Sequence, residues 1–381
     1  MFEDLIEFIR NLYNTNQVIP LHEPVFNQFD KQLVNEAIDS TFVSSIGKFV
    51  DRFENEIVNF TGTKHALATV NGTSALQVAL RLAGVKHGDE VLTQSLTFVA
   101  TANSIIHNSA SPVFLDVDLD TMGMSPTALI SFLDTYGIKK ETGTFNKSTG
   151  KRIAAVLPMH TLGHPCRIDK IIEIADSWNL PVVEDAAEAL GSCYKKKHCG
   201  TFGLLGVFSF NGNKIITSGG GGAIVTDDNH LAQKAKHLTT TAKVDHPWEF
   251  IHDEVGYNYR LPNLNAALAC AQLTHLQQYL SRKRLLAEKY KYFFSSSTLG
   301  SFINEPQNSQ SNFWLNGIIT DSKDIRDRIL KETNEQGIKT RPLWRLITEL
   351  EIYKSFHKDD LNNSKQLQDR IINLPSSVNF K

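Results

Sequence analysis

Short apolar runs alternate with helical patterns along most of the chain from about residue 64. The runs predict strands, and segments 74–83, 98–107 and 168–178 between them have the apolar spacing of helices. This alternation is typical of an α/β fold, a mostly parallel sheet covered by helices. The predicted strands are residues 65–69, 90–93, 112–116, 152–158, 181–184, 206–209 and 222–226.

Other patterns lie outside this alternation of strands and helices. Apolar residues from Phe2 to Tyr13 recur at helical spacing and predict a short amphipathic helix. The polar segment 139–150 predicts a surface loop or hairpin. Residues 265–294 contain no glycine or proline and predict one long helix that connects two domains. Beyond it, a strand pattern (313–320) and a charged helix pattern (324–336) indicate a smaller α+β unit.

Length and composition limit the class of protein. The 381 residues are enough for two domains, which we place at 21–260 and 261–381 after a helical extension at 1–20. The 39 basic and 41 acidic residues give a net charge of −2, without the basic excess that nucleic-acid binding favours. Four cysteines do not form a disulfide framework, and no apolar run approaches membrane-spanning length. We expect a cytoplasmic protein with no membrane partner.

The first candidate motif follows the strand at 65–69. Gly72 allows a tight turn, and Thr73 or Ser74 can cap the next helix. The N–H groups of a helix start, with two hydroxyls beside them, can also bind a phosphate. Taken alone, the motif favours a simple helix cap.

The second motif is Glu184-Asp185-Ala186-Ala187-Glu188, which ends an apolar strand. In parallel sheets, ligands bind at the carboxyl ends of strands, and a buried carboxylate there needs a cationic partner. The alternative is that Asp185 only caps a helix.

The third motif contains Lys214, which lies between two apolar strands and is followed by four glycines. The pattern is not a phosphate-binding Walker loop, because Asn213 precedes the lysine and Ile215 follows it. A lysine in such a loop can bond covalently to an aldehyde, although a solvated loop lysine is the simpler interpretation.

The three motifs together match one cofactor. Pyridoxal phosphate requires a phosphate site, a carboxylate that keeps the pyridine nitrogen protonated, and a lysine that bonds C4′. A flat side chain is also needed against the ring, and Phe98 is the candidate.

The chain resembles the DegT/DnrJ/EryC1/StrS family over residues 18–381. The resemblance is carried by these motifs and by further segments that appear in the family's order, at 88–91, 97–103, 209–214 and 256–260. The family consists of nucleotide-sugar aminotransferases, fold type I enzymes that use pyridoxal phosphate and pass through its pyridoxamine form. Segments 43–47, 139–150, 158–169 and 340–346 are similar to the aminotransferases of legionaminic-acid and bacillosamine-type pathways. That similarity implies a UDP-linked 4-keto-6-deoxy-N-acetylhexosamine as substrate, L-glutamate as donor, and a role in bacterial surface-glycan or nonulosonic-acid synthesis.

The resemblance also implies roles for single residues. Lys214 matches the lysine that bonds the cofactor, Asp185 the pyridine partner and Phe98 the stacking residue. Asn258 matches a residue that reaches the cofactor phosphate of the other subunit, which implies a homodimer with shared active sites. Glu188 stands near the cofactor's phenolic oxygen, where many members have glutamine or histidine. The matching phosphate contacts are Thr73, Ser74 and Ser209, beside Gly72.

Substrate contacts are further expectations. The candidates are Ser45, His160, Tyr259, Arg260 and Arg341, with the two arginines as partners for the substrate diphosphate or the donor carboxylate. For His160, a purely structural role is the alternative. No metal site is expected, because Gly163 and Pro165 break any helix that would align His160 with His164.

Two alternatives stay open. A sister group of the family dehydrates sugars with pyridoxamine phosphate and has histidine in place of the lysine, which Lys214 argues against. A non-catalytic sensor built on the same fold is the other alternative, and it predicts no amine transfer from glutamate.

Overall fold

The computed structural model describes residues 2–381, which form twelve α-helices, three short 3₁₀ helices and sixteen strands. The α-helices are α1 Phe2–Tyr13, α2 Gln28–Asp39, α3 Lys48–Thr61, α4 Gly72–Leu82, α5 Val99–His107, α6 Pro126–Tyr136, α7 Ile168–Ser177, α8 Asn229–Thr239, α9 Asn263–Thr274, α10 Leu276–Phe294, α11 Lys323–Glu335 and α12 Asn362–Arg370. The strands are β1 His65–Thr69, β2 Glu90–Gln94, β3 Ser111–Leu115, β4 Gly137–Lys140, β5 Gly143–Asn146, β6 Arg152–Leu157, β7 Val183–Asp185, β8 Cys193–Tyr194, β9 Lys197–His198, β10 Leu205–Ser209, β11 Gly222–Thr226, β12 Ser301–Phe302, β13 Ser309–Gln310, β14 Asn316–Ile319, β15 Arg341–Pro342 and β16 Ile371–Leu374.

A mostly parallel sheet forms the centre of the molecule. Its order is β3-β2-β6-β7-β10-β11-β1, and parallel bridges from Val156 to Val182 and from Met159 to Asp185 join its two halves. Only β11 runs antiparallel to its neighbours among these seven strands of the described chain. The α/β class and the mostly parallel sheet predicted from the sequence are therefore confirmed.

Alternate side chains of the strands pack on opposite faces of this sheet. Leu67, Val207 and Ile224 face a core shared with α4, α5 and α8. Phe208 and Val225, one residue further along their strands, face a second core shared with α2, α3 and α9. Both faces are thus covered, which explains why the strands are continuous apolar runs rather than alternating ones.

The predicted long helix over 265–294 is wrong in one respect, because the chain breaks at His275 into α9 and α10. Alanines of α9 are buried beside α2 and α3, and Leu276 and Tyr279 at the start of α10 belong to the same core. Tyr290 and Phe294 at the end of α10 lie in the core of the C-terminal unit.

The C-terminal unit is built on a four-stranded antiparallel sheet, β12-β14-β16-β15. Helix α1, predicted as amphipathic, buries Leu5 and Ile9 in the same core as α10 and α11, so it covers the chain's own interior. The segment 139–150 forms the hairpin β4–β5 at the edge of the central sheet. The division of the chain at residues 20 and 260 stays a prediction.

Hydrogen bonds attach the C-terminal unit to the edge of the central sheet. The N–H of Phe114 donates to the carbonyl of His357, and the Asp116 carboxylate accepts the N–H groups of Asn363 and Ser364 at the start of α12. This attachment fixes the position of the C-terminal unit over the strand ends. Of the helices that residues 2–381 form, none combines the length and apolar content needed to cross a bilayer.

Candidate active site

A cavity of about 290 Å³ opens at the carboxyl ends of the parallel strands. Loops that follow β1, β2, β6, β7 and β10 form most of its wall, and the C-terminal unit adds two tryptophans. This is where ligands bind in open α/β sheets, because loops from several strands meet there. The lining residues are Asn71, Gly72, Thr73, Leu76, Phe98, Ala100, Thr101, Met159, Asp185, Ala187, Glu188, Ser209, Asn211, Asn213, Lys214, Trp314 and Trp344.

The N-terminus of α4 forms one end of the cavity. Asn71 caps the helix through a 2.8 Å hydrogen bond from the Ser74 N–H to its Oδ1, so Asn71, rather than Thr73 or Ser74, is the cap. Gly72 lies against Ser209, and a Cβ at position 72 would be 3.0 Å from the Ser209 Cβ. Ser74 belongs to this turn but does not line the cavity. The positive end of the helix and the neighbouring hydroxyls suit an anion.

Asp185 is a buried carboxylate at the end of β7. Its Oδ2 accepts the Thr101 hydroxyl at 2.7 Å, and its Oδ1 accepts the Ala187 N–H at 3.1 Å. Burial raises the pKa of Asp185, while these two hydrogen bonds oppose the rise. Asp185 forms no salt bridge with any residue from 2 to 381. Because an unpaired buried carboxylate is costly, the arrangement suits a cationic ligand group.

Lys214 lies opposite Asp185 in the turn after β10. Its Nζ is 3.3 Å from Glu188 Oε1 and 4.3 Å from the ring centroid of Trp314. Glu188 Oε2 accepts the Leu162 N–H at 2.9 Å. Burial raises the pKa of Glu188 to about 7, although the positive charge of Lys214 lowers it.

Phe98 forms the mouth of the cavity together with Trp344. It precedes α5 and is 47% exposed, and its ring centroid is 6.2 Å from that of Trp344. Nearly half of the Phe98 side chain is therefore accessible to a ligand that enters the cavity.

His160 lies behind the cavity wall rather than in it. Its Nδ1 accepts the Cys166 N–H at 3.2 Å and its Nε2 is 3.0 Å from Glu184 Oε2. Because Glu184 also accepts backbone N–H groups of 200, 202 and 203, the histidine is part of a buried network under β7. The neighbouring His164 is buried too, and burial lowers its pKa to about 4.

The other predicted substrate contacts do not reach this cavity within one chain. Tyr259 stacks on Tyr257 at 4.8 Å between centroids, and its hydroxyl donates to Gln77. Arg260 donates to Asn258 at 3.0 Å. Of two further candidates, Ser45 is half-buried and Arg341 is exposed, and neither lines the cavity.

The motifs of the site lie within a region that matches a known protein family. The profile of the DegT/DnrJ/EryC1/StrS aminotransferase family matches residues 24–381. The chain belongs to this family.

Relatives of the family align over nearly the whole chain. EpsN of Bacillus subtilis (strain 168) is 37% identical over 95% of this chain and 92% of its own. GDP-perosamine synthase of Escherichia coli O157:H7 is 36% identical over 94% of this chain and 93% of its own. Among solved structures, Helicobacter pylori PseC, an aminotransferase involved in the biosynthesis of pseudoaminic acid, has a TM-score of 0.86 and 26% identity, with 94% of each chain covered. The chain is thus an aminotransferase with the fold type I architecture of this family.

The aminotransferases of the family use pyridoxal phosphate, and the residues present fit that group. The start of α4 offers an anion site in which a side chain at position 72 would contact Ser209 tightly, with 3.0 Å between the two Cβ atoms. Asp185 is a buried carboxylate without a cation, as a protonated pyridine nitrogen requires. The primary amine of Lys214 lies on the same cavity.

Several residues of the site escaped the sequence analysis. Thr101 follows the predicted stacking residue by three positions, but only the fold directs its hydroxyl at Asp185. Trp314 and Trp344 lie in the C-terminal unit, far from the motifs in sequence. For Trp344 the available signal was its place in segment 340–346, which carries the subfamily similarity, whereas no motif included Trp314.

Proposed function

We propose that the chain transfers the amino group of L-glutamate to C4 of a nucleotide-linked 4-keto-6-deoxy-N-acetylhexosamine, with a UDP-sugar as substrate. The observation that supports transamination is one cavity with the Lys214 amine and the uncompensated Asp185 carboxylate on its wall. A sister dehydratase would have histidine at position 214, so the amine favours transfer of nitrogen.

Each residue has a distinct task in this proposal. Pyridoxal phosphate, when bound, takes up the amino group on C4′ and withdraws electrons from the carbon that loses a proton. Asp185, oriented by Thr101 and Ala187, holds the proton on the pyridine nitrogen. With the cofactor bound, the free amine of Lys214 would be the base that accepts the proton from Cα of the donor.

The remaining residues bind and orient. The α4 terminus would hold the phosphate with Thr73 and Ser209, which line the cavity, and Phe98 would cover one ring face. Glu188 would lie near the phenolic oxygen. The tryptophans from the C-terminal unit narrow the opening and exclude water from the reacting carbon.

The sugar assignment is the finer part of the proposal. It rests on the resemblance of segments 43–47, 158–169 and 340–346 to aminotransferases of legionaminic-acid and bacillosamine-type pathways. The relatives named above for GDP-perosamine and pseudoaminic acid support an amino sugar in general, and bacterial surface glycans or nonulosonic acids as its destination.

A mass-spectrometric screen of 4-keto sugar nucleotides tests the assignment. With L-glutamate, the UDP-4-keto-6-deoxy-N-acetylhexosamine should exchange its keto oxygen for an amino group and release one 2-oxoglutarate per product. Lys214→Ala should produce neither compound. Amination of a GDP-sugar alone would refute the UDP assignment, and 2-oxoglutarate release without any sugar product would refute the sugar substrate.

We also propose that the enzyme is a homodimer with shared active sites. Trp248 and Phe250 are 79% and 80% exposed, and Phe42 and Ile46 are exposed as well, which is unusual for large apolar side chains. Asn258 lies outside its own cavity, in agreement with a role in the neighbouring subunit.

Subunit mixing tests the shared site. A Lys214→Ala subunit paired with an Asn258→Ala subunit has one site with both native residues, so a random mixture should recover about a quarter of the wild-type sites. Each variant alone serves as control. If the mixture is no more active than the sum of its parts, Asn258 acts within its own subunit.

A further inference from the structure

The Lys214 amine lies between a carboxylate and an aromatic face. Its Nζ is 3.3 Å from Glu188 Oε1 and 4.3 Å from the Trp314 ring centroid. The Glu188 side chain is 1% exposed and that of Lys214 11%, so water has little access to either group. The carboxylate and the indole ring are therefore direct, largely water-excluded partners of the amine.

Trp314 is held rigidly in this position. Its indole Nε1 donates to the Asn213 carbonyl at 2.6 Å, and its backbone N–H donates to Asn312 Oδ1 at 2.8 Å. Asn312 in turn donates to the carbonyl of Glu188 at 2.8 Å. The ring and the carboxylate are thus parts of one hydrogen-bonded frame around the amine.

The charges that act on Glu188 come from two neighbouring elements. Lys214 lowers its pKa, and Asp185 at the end of β7 raises it, but burial has the larger effect and brings the value to about 7. The turn at Thr161–Gly163 contributes the neutral Leu162 N–H. His22, the other titratable group near the amine, has a pKa lowered well below its usual value by burial and by the charges of Lys283 and Lys214.

We propose that Glu188 is the proton partner of Lys214, and that Trp314 holds the free amine in contact with it. The step transfers one proton from the Lys214 ammonium to the Glu188 carboxylate, leaving a neutral amine and a neutral carboxyl group. No other bond changes. Glu188 is thus the acceptor for the proton that Lys214 must lose before its amine acts as a nucleophile or base. This proposal rests on the proposed function and adds a positioning and proton-transfer role to a residue assigned above only to the cofactor.

The test follows the reactivity of the amine in the full-length chain freed of cofactor. Brief reductive methylation at a series of pH values, followed by peptide mass spectrometry, gives the pH midpoint at which Lys214 becomes reactive. Glu188→Gln removes the negative charge, so the midpoint should fall by about one to two pH units, a 10- to 100-fold change in the ratio of neutral to charged amine. Glu188→Asp keeps the charge on a shorter side chain and should give a smaller fall.

Trp314 variants separate the aromatic contact from packing. Trp314→Leu should lower the midpoint by about half a unit, since it removes the cation–π contact, whereas Trp314→Phe should stay close to wild type. Lys331, an exposed lysine in the same digest, is the internal control, and Glu36→Gln, which removes an exposed ion pair with Lys48, is the matched variant.

The outcomes decide the proposal independently of the reaction. An unchanged Lys214 midpoint in Glu188→Gln, or an equal shift at Lys331, overturns it. If Glu188→Gln does not fold, as judged by circular dichroism, the Glu188→Asp midpoint decides in the same way. A shifted midpoint in an enzyme that aminates no sugar would refute the proposed function but not the proton partnership. Sugar amination with an unshifted midpoint would refute the proton partnership but not the proposed function.

Discussion

Replacing Thr101 with valine removes a hydroxyl that stabilises the charged form of Asp185. The hydroxyl is 2.7 Å from Oδ2, and both residues are buried, so water cannot replace the lost donor. A hydrogen bond to a buried charge contributes about 1.5–3 kcal/mol. At about 1.4 kcal/mol per pKa unit, its loss should raise the pKa of Asp185 by a further one to two units. A carboxyl group with a higher pKa is protonated over more of the working pH range, and in that form it cannot hold the pyridine proton. We therefore expect kcat/KM to fall by up to about tenfold per pKa unit.

The effect on stability has a defined sign. Burial already raises the folded-state pKa of Asp185 above the unfolded value. Such a group contributes stability below the unfolded pKa and loses that contribution as the pH rises through the folded pKa. Because Thr101→Val moves the folded pKa higher still, the deficit of the variant relative to wild type should be larger at pH 7 than at pH 4.5.

Urea denaturation at the two pH values and steady-state kinetics measure these effects. Thr101→Ser keeps the hydroxyl and should behave nearly as wild type. Thr97→Val removes a neighbouring hydroxyl that contacts Thr101 but not Asp185, and it controls for local packing. In an Asp185→Asn background Thr101→Val should cost clearly less. An equal cost in both backgrounds, or unchanged kinetics in Thr101→Val, would show that the hydroxyl does not act through the carboxylate.

Two other predictions concern the phosphate end and the C-terminal unit. Gly72→Ala places a Cβ 3.0 Å from the Ser209 Cβ and should weaken pyridoxal phosphate affinity about tenfold in a fluorescence titration. Gly212→Ala is the control, because its Cβ would lie in open space and should leave the affinity unchanged. Equal affinities of the two variants would contradict the close approach of Gly72 to Ser209. Lys283 is fully buried and donates to the carbonyls of Trp314 and Ser376, and burial lowers its pKa well below the usual value. Lys283 therefore binds fewer protons in the folded protein than in the unfolded chain, so the stability of the wild type to urea should rise between pH 7 and 9.5. A parallel rise in Lys283→Met would show that the rise does not come from Lys283.

Much of the fold follows from local patterns in the sequence. Strands buried on both faces are short apolar runs, and β1 and β11 begin and end at the predicted residues because polar or glycine-rich turns flank them. The three motifs around residues 72, 185 and 214 predicted one site, because each follows a strand and parallel strands end at the same edge.

The tertiary structure decided whatever depends on contacts between distant segments. No glycine or proline marks the break at His275, and the packing partners of α9 and α10 are visible only in the structure. Trp314 and Trp344 reach the cavity only because the C-terminal unit is attached to the sheet edge, and His160 lies behind the wall because Glu184 binds it there. The sequence alone identified the chemical groups of the site, since these are local to single loops. The burial, hydrogen-bond partners and proton affinities of these groups depend on distances between segments that are far apart in sequence. Folding sets those distances, and no local sequence pattern predicts them.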